Sequence, residues 1–187
     1  MYDSTVDTQE HISKVQERIQ TIISALTVRA AHHDRSKLEE PEKSGYDRLT
    51  VDLKDIVYGT DEYRAALAAA KPVIDHHYAH NSHHPEHWPQ PETDEIRRLK
   101  SRIARYEDIA PRSPQLMQAR KELSVLESGL NGMSLLDIVE MLCDWKAASE
   151  RTKQGSIAAS LIHNKQRFGI DDQLAAILEN TVRELGW

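Results

Sequence analysis

The spacing of the apolar side chains constrains the fold most. Ile96, Leu99, Ile103 and Tyr106 step along the chain by threes and fours, and beyond the break APRSP so do Leu116, Ala119, Leu123, Leu126 and Leu130. That period paints one stripe on a helix, whereas a strand would need alternate residues to share a face. The two runs read as an antiparallel helical hairpin with coiled-coil-like seams, spanning residues 89–130 and entered through WPQPE. Such a hairpin either simply packs or serves as a dimer contact or a lid.

The same period governs the rest. Asp7 or Thr8 is expected to cap a first helix bearing Ile12, Val15, Ile19, Ile22, Ile23 and Leu26 and running toward HHDRSK. EEPEKSG is expected to break the chain before a short helix with Leu49, Leu53 and Val57, which YGT ends. Thr60 then caps DEYRAALAAAKPVIDHHYAH, and Pro72 should kink or split it. Ser134 and Asp137 form an S-x-x-D capping box opening LLDIVEMLCDWKAASER, whose apolar face is read as Leu135, Val139, Leu142 and Trp145. Helices near 156–167 and 172–185 close the chain, with Leu161, Ile162, Leu174, Ile177, Leu178 and Val182 inward.

Only 5% of the 187 residues are aromatic and seven are glycine, which favours an all-α protein. The expected layout is one helical domain formed by residues 1–88 and 131–187, with the hairpin inserted. A formal charge of -6 gives no basic face, so nonspecific nucleic-acid binding is not expected. The single cysteine, Cys143, excludes an intrachain disulfide framework and a cysteine-based zinc knuckle, and it fits a reducing cytoplasm. No apolar run approaches the ~18 residues of a membrane span and the polar start does not resemble a signal peptide, so a cytoplasmic protein without membrane partners is expected.

HHYAHNSHHPEHW, residues 76–88, holds six of the ten histidines. It is internal and interrupted, unlike a purification tag. Two chemistries suit it: a metal site, or a pH-sensitive patch in which imidazoles with ordinary pKa near ~6.5 gain charge together. Two other places carry ligand-type residues on apolar scaffolding, the adjacent pair His33-Asp34 and Asp144 on the CDW helix. In HHDRSK, a carboxylate, an imidazole and the Lys37 ammonium leave one helix end together.

HDRSK resembles the HDxxK signature of the HD-domain metal-dependent phosphohydrolases, an all-helical superfamily. HHPE at 83–86 is similar to the HHE of its HD-GYP branch, and CDWKAASER resembles its aspartate helix. The order His-Asp, His-His-x-Glu, Asp is kept over about residues 11–151, the hairpin being treated as an insertion. HDRSK, HHPEHW and GMSLLDIVEMLCDWKAA together also resemble an uncharacterised family of phages and bacteria, which would place the chain in the host cytoplasm if phage-encoded.

The resemblance implies an HD-like bundle and a hydrolase acting on a nucleotide or related phosphate ester. It implies one or two divalent ions (Mn, Fe, Co, Ni or Zn), which imidazole and carboxylate donors suit. His33, Asp34 and Asp144 are the implied ligands, then His83 and His84. Lys37 would contact the substrate phosphate, and Glu86 would orient a water or a histidine unless it is a solvated surface carboxylate. The superfamily takes a further histidine from an earlier helix, and the only candidate is His11, 22 residues before His33. On one unbroken helix the two would stand about 33 Å apart, so His11 serves only if the chain turns back near residues 24–28. Otherwise His76, His77 or His80 fills the place, with His77 or His80 preferred. The Gly-Tyr-Pro of the HD-GYP branch is absent, which argues against cyclic di-GMP turnover. A noncatalytic nucleotide- or metal-binding accessory protein with an HD-like site is the alternative, and a homodimer is compatible with either. His32 and His163 are expected at the surface, Met141 and Trp145 in the core, and Trp88 either over the site or closing the core.

Overall fold

The computed structural model describes residues 2–54, 56, 60–88, 90–151 and 155–187. Val57, Tyr58, Gly59 and Pro89, on which the end of the second helix and part of WPQPE were expected, lie outside the described residues. Among the described residues there are nine α-helices, three 3-10 turns and no strand, so the protein is all-α. None of the helices is long and apolar enough to cross a membrane among the residues described. The chain forms two compact units, residues 1–73 and 74–187, dividing where the sequence suggested no boundary.

In the first unit, α1 runs from Thr5 to His32 without interruption. Its N-cap is Ser4 rather than Asp7 or Thr8, and Asp3 Oδ1 instead accepts from Thr5 N–H at 3.0 Å. Asp34 follows α1 with φ 55°, in the left-handed region that Asp tolerates better than most residues, and there the chain enters the 3-10 turn Arg35–Leu38. α2 spans Glu42–Leu53. The expected break at EEPEKSG therefore covers the first turn of a helix, in which Gly45 packs against Val73: a Cβ there would stand 2.3 Å from Val73 Cγ2. α3 (Asp61–Ala69) is capped by Thr60, which accepts from Tyr63 N–H at 3.2 Å, and Pro72 separates it from α4 (Lys71–His80) as expected.

The second unit holds two cores. α5 (Asp94–Ile109) and α6 (Pro114–Leu126) pair through Leu99, Ile103, Leu116 and Ala119, the residues that the three-four spacing picked out. α7 (Leu135–Ser149), α8 (Ile157–Phe168) and α9 (Asp172–Glu184) enclose Ile138, Met141, Leu142, Trp145, Leu161, Leu178 and Val182. Phe168 stacks on Trp145 with centroids 6.0 Å apart. Burying side chains of this size yields roughly 1.5–3 kcal/mol each, which makes this cluster the main apolar contribution. Of the expected inward residues Leu142, Trp145, Leu161, Leu178 and Val182 are buried, whereas Leu135, Ile162 and Ile177 are exposed, and Ile138 joins the core of α7 unforeseen. Periodicity gives the existence of a stripe, and the angle at which a neighbour crosses decides its centre.

Two 3-10 turns meet at a glycine. Gly129 opens the turn Gly129–Gly132 so close to the turn Pro85–His87 that a Cβ would lie 1.7 Å from the Pro85 carbonyl oxygen. Backbone, not a movable side chain, occupies that space. Gly129→Ala is expected to destabilise the protein by at least about 2 kcal/mol, a fall in Tm of several degrees by thermal denaturation.

Candidate metal centre

α4 ends in an Asn81 cap. Its Nδ2 donates to the His77 carbonyl at 2.8 Å and lies 2.9 Å from His77 Nδ1, so one amide both stops the helix and holds an imidazole ring. The loop that follows is pinned at three further places. The Ser82 hydroxyl donates to Asp137 Oδ1 at 2.6 Å, the Trp88 indole N–H donates to the Ser82 carbonyl at 2.9 Å, and His87 Nδ1 lies 2.9 Å from the Tyr78 carbonyl. Trp88 thus ties down the loop, with its ring where a side chain on Gly132 would otherwise sit.

Held this way, three imidazoles converge. His77 and His83 are buried, at 1% and 2% exposure, and one ring nitrogen from each of His77, His83 and His84 lies within 4.8 Å of the other two. His77 Nε2 and His84 Nε2 are 2.9 Å apart, within hydrogen-bonding distance. Two nitrogens bound at ~2.0–2.1 Å to a tetrahedral ion would stand about 3.3 Å apart, close to the spacing of the His77–His84 pair. The donor type, the burial and the spacing fit a divalent transition metal.

α7 supplies the backing. Asp137, Glu140 and Asp144 follow one another at i, i+3 and i+7 on one helix face. Asp137 receives Ser82, and Glu140 Oε1 stands 3.3 Å from His83 Nδ1. A carboxylate behind a ligating imidazole fixes its ring orientation and makes it a stronger donor. Asp144, half-buried, comes one turn after Glu140. Partial burial, reinforced by the charge of Glu140, raises the pKa of the exposed Cys143 thiol.

Next to this lies an ion pair linking distant segments. Arg167, at the end of α8, donates to Glu86 at 2.6 Å and to the Tyr78 hydroxyl, and the Tyr78 ring packs on His84 with centroids 4.8 Å apart. Burial, then the Glu86 charge, pushes the Tyr78 phenol up, against the opposing pull of Arg167. Burial depresses the Arg167 guanidinium, but Glu86 and Tyr78 more than offset it and the net shift is upward. Glu86 is an exposed surface carboxylate, as one of the two readings had it, and its partner there is Arg167.

The His33-Asp34 pair belongs to the first unit. His33 Nε2 is 3.7 Å from Asp34 Oδ2, which also accepts from Lys37 Nζ at 2.6 Å, and Lys37 lies over the Tyr46 ring at 5.0 Å. Imidazole, carboxylate and ammonium leave the end of α1 together, as the sequence suggested. Two further candidates are placed elsewhere. His11 is on the same unbroken α1 as His32, so the turn that would return it to His33 does not occur and about 33 Å of helix intervenes. His80 is exposed, its Nδ1 2.7 Å from the His76 carbonyl and its ring stacked on His76 at 4.1 Å, outside the His77, His83 and His84 cluster. His32 and His163 are at the surface, and Met141 and Trp145 are core, as expected.

Glu140 and Arg167 were missed from the sequence. The acidic spacing of DIVEMLCD carried a signal for Glu140, since every member falls on one helix face. Nothing local marks Arg167, which meets Glu86 across 81 positions. Asp137, 2% exposed, accepts from the Ser82 and Ser134 hydroxyls and the Ser134 backbone N–H. Asp137→Ala is expected to cost about 2–4 kcal/mol, because it strands buried donors. A Tm lowered by less than about 4 °C would contradict that accounting.

No curated protein and no solved structure matches the chain. One family model does, over residues 1–184, and the protein is therefore a member of DUF5662, a family of unknown function.

Proposed function

We propose that the protein is a metal-dependent phosphohydrolase of the HD-domain type, acting on a nucleotide or related phosphate ester. The observation that carries this reading is the cluster of His77, His83 and His84 with Glu140 behind His83. Beside it stands the order His-Asp, His-His-x-Glu, Asp along the chain, which by resemblance to that superfamily assigns His33, Asp34 and Asp144 as further ligands. When bound, a divalent ion would lower the pKa of a coordinated water and stabilise charge developing on a phosphoryl oxygen.

The chain's own groups have separable tasks in this scheme. His77, His83 and His84 present imidazole nitrogens, and Glu140 fixes the ring of His83. Asp34 contributes a carboxylate whose position Lys37 secures at 2.6 Å. The Lys37 ammonium supplies the positive charge that a substrate phosphate would meet. Arg167 holds Glu86 and Tyr78, and through the Tyr78 ring it steadies His84.

The test is elemental analysis of the purified protein followed by phosphate release from a panel of nucleoside monophosphates and triphosphates. At least one transition-metal ion per chain is expected, and joint replacement of His77 and His83 by Ala should remove it. Glu140→Ala should weaken metal affinity about 10–100-fold while leaving the fold intact. Asp34→Ala and Asp144→Ala should each abolish turnover. Full activity in either Asp variant would sink the hydrolase reading. Metal binding without turnover on a broad panel would instead favour a noncatalytic receptor.

A further inference from the structure

α1 has no buried residue along its 28 positions, a length of about 42 Å. Yet it is not a polar helix. Ile12, Val15, Ile19, Ile22 and Leu26 follow a strict three-four alternation, with Ile23 widening the stripe, and Ile19 and Ile22 are 52% and 45% exposed. Helices in water draw most of their stability from packing such a face, and one that presents branched aliphatics to solvent over several turns is incomplete as a monomer. The alternation is the heptad pattern that one helix uses to pack against another.

The charges indicate which helix. Before residue 18, Asp3, Asp7, Glu10 and Glu17 are opposed by Lys14 alone, whereas residues 18–33 carry Arg18 and Arg29 and no acid. A second copy laid antiparallel sets the acidic half of each helix against the basic half of the other and opposes the two helix dipoles. A parallel pair would put like charges side by side. We propose that α1 is a dimerisation helix, two copies pairing antiparallel through Ile12, Val15, Ile19, Ile22 and Leu26. In one such register Ile12 meets Ile22, Val15 meets Ile19, and Thr8 meets Leu26 of the other copy.

Light scattering coupled to size exclusion on the full chain at tens of micromolar should give twice the 21.3 kDa chain mass. Ile19→Asp combined with Ile22→Asp should return a monomer, with a dissociation constant raised at least 100-fold. Because neither side chain belongs to a core cluster, the thermal transition of the remainder should persist, which separates lost dimerisation from lost folding. In a Cys143→Ser background, disulfide trapping should succeed when a Thr8→Cys chain is mixed with a Leu26→Cys chain, and fail with Thr8→Cys alone. A monomeric parent protein, or a dimer that survives both Asp substitutions, would overturn the proposal. So would hydrogen-exchange protection of the stripe in a monomer, because the chain would then cover α1 itself. Trapping by Thr8→Cys alone would overturn the antiparallel arrangement.

Discussion

The second unit turns on one buried carboxylate. Asp137 starts α7 by closing the capping box with Ser134, and the same carboxylate reaches 55 residues back along the chain to the Ser82 hydroxyl. A helix start and a histidine-bearing loop are thereby given one common origin. Buried and charged, Asp137 is tolerable only because its oxygens meet hydroxyl and backbone donors. Everything that brings His83 and His84 toward His77 begins from that joint, and Glu140 can stand behind His83 because it lies one turn further along the same helix.

What was legible in the sequence was what short-range physics decides. Thr60, Ser134 and Pro72 act within four residues of themselves, so their effects could be read directly. The α5–α6 hairpin was legible because its seam repeats through two consecutive helices, each supplying the other's partner. Ser4 displaced Asp7 as the start of α1 because an exposed helix keeps extending until something stops it, and Asp7 was simply a favourable first-turn acid.

The candidate site was half legible. Residue types and their order picked out the histidine segment in which His77, His83 and His84 converge, but spacing alone could not separate His77 from His80. Burial separates them: Asn81 caps α4 where the ring of His77 turns inward, and His80 is stacked on His76 at the surface. His11 failed on a simple length, since an unbroken helix carries its ends apart. Arg167 had no local signature because its role exists only once α8 has packed beside the turn that holds Glu86.

At position 34 two selections fall on one residue. The backbone there, at φ 55°, excludes β-branched and bulky side chains and admits mainly Gly, Asn and Asp. Of those three only Asp brings a negative charge to the Lys37 ammonium. Shape and charge therefore restrict this position independently, and a drift to Asn would keep the turn while removing the charge that meets Lys37.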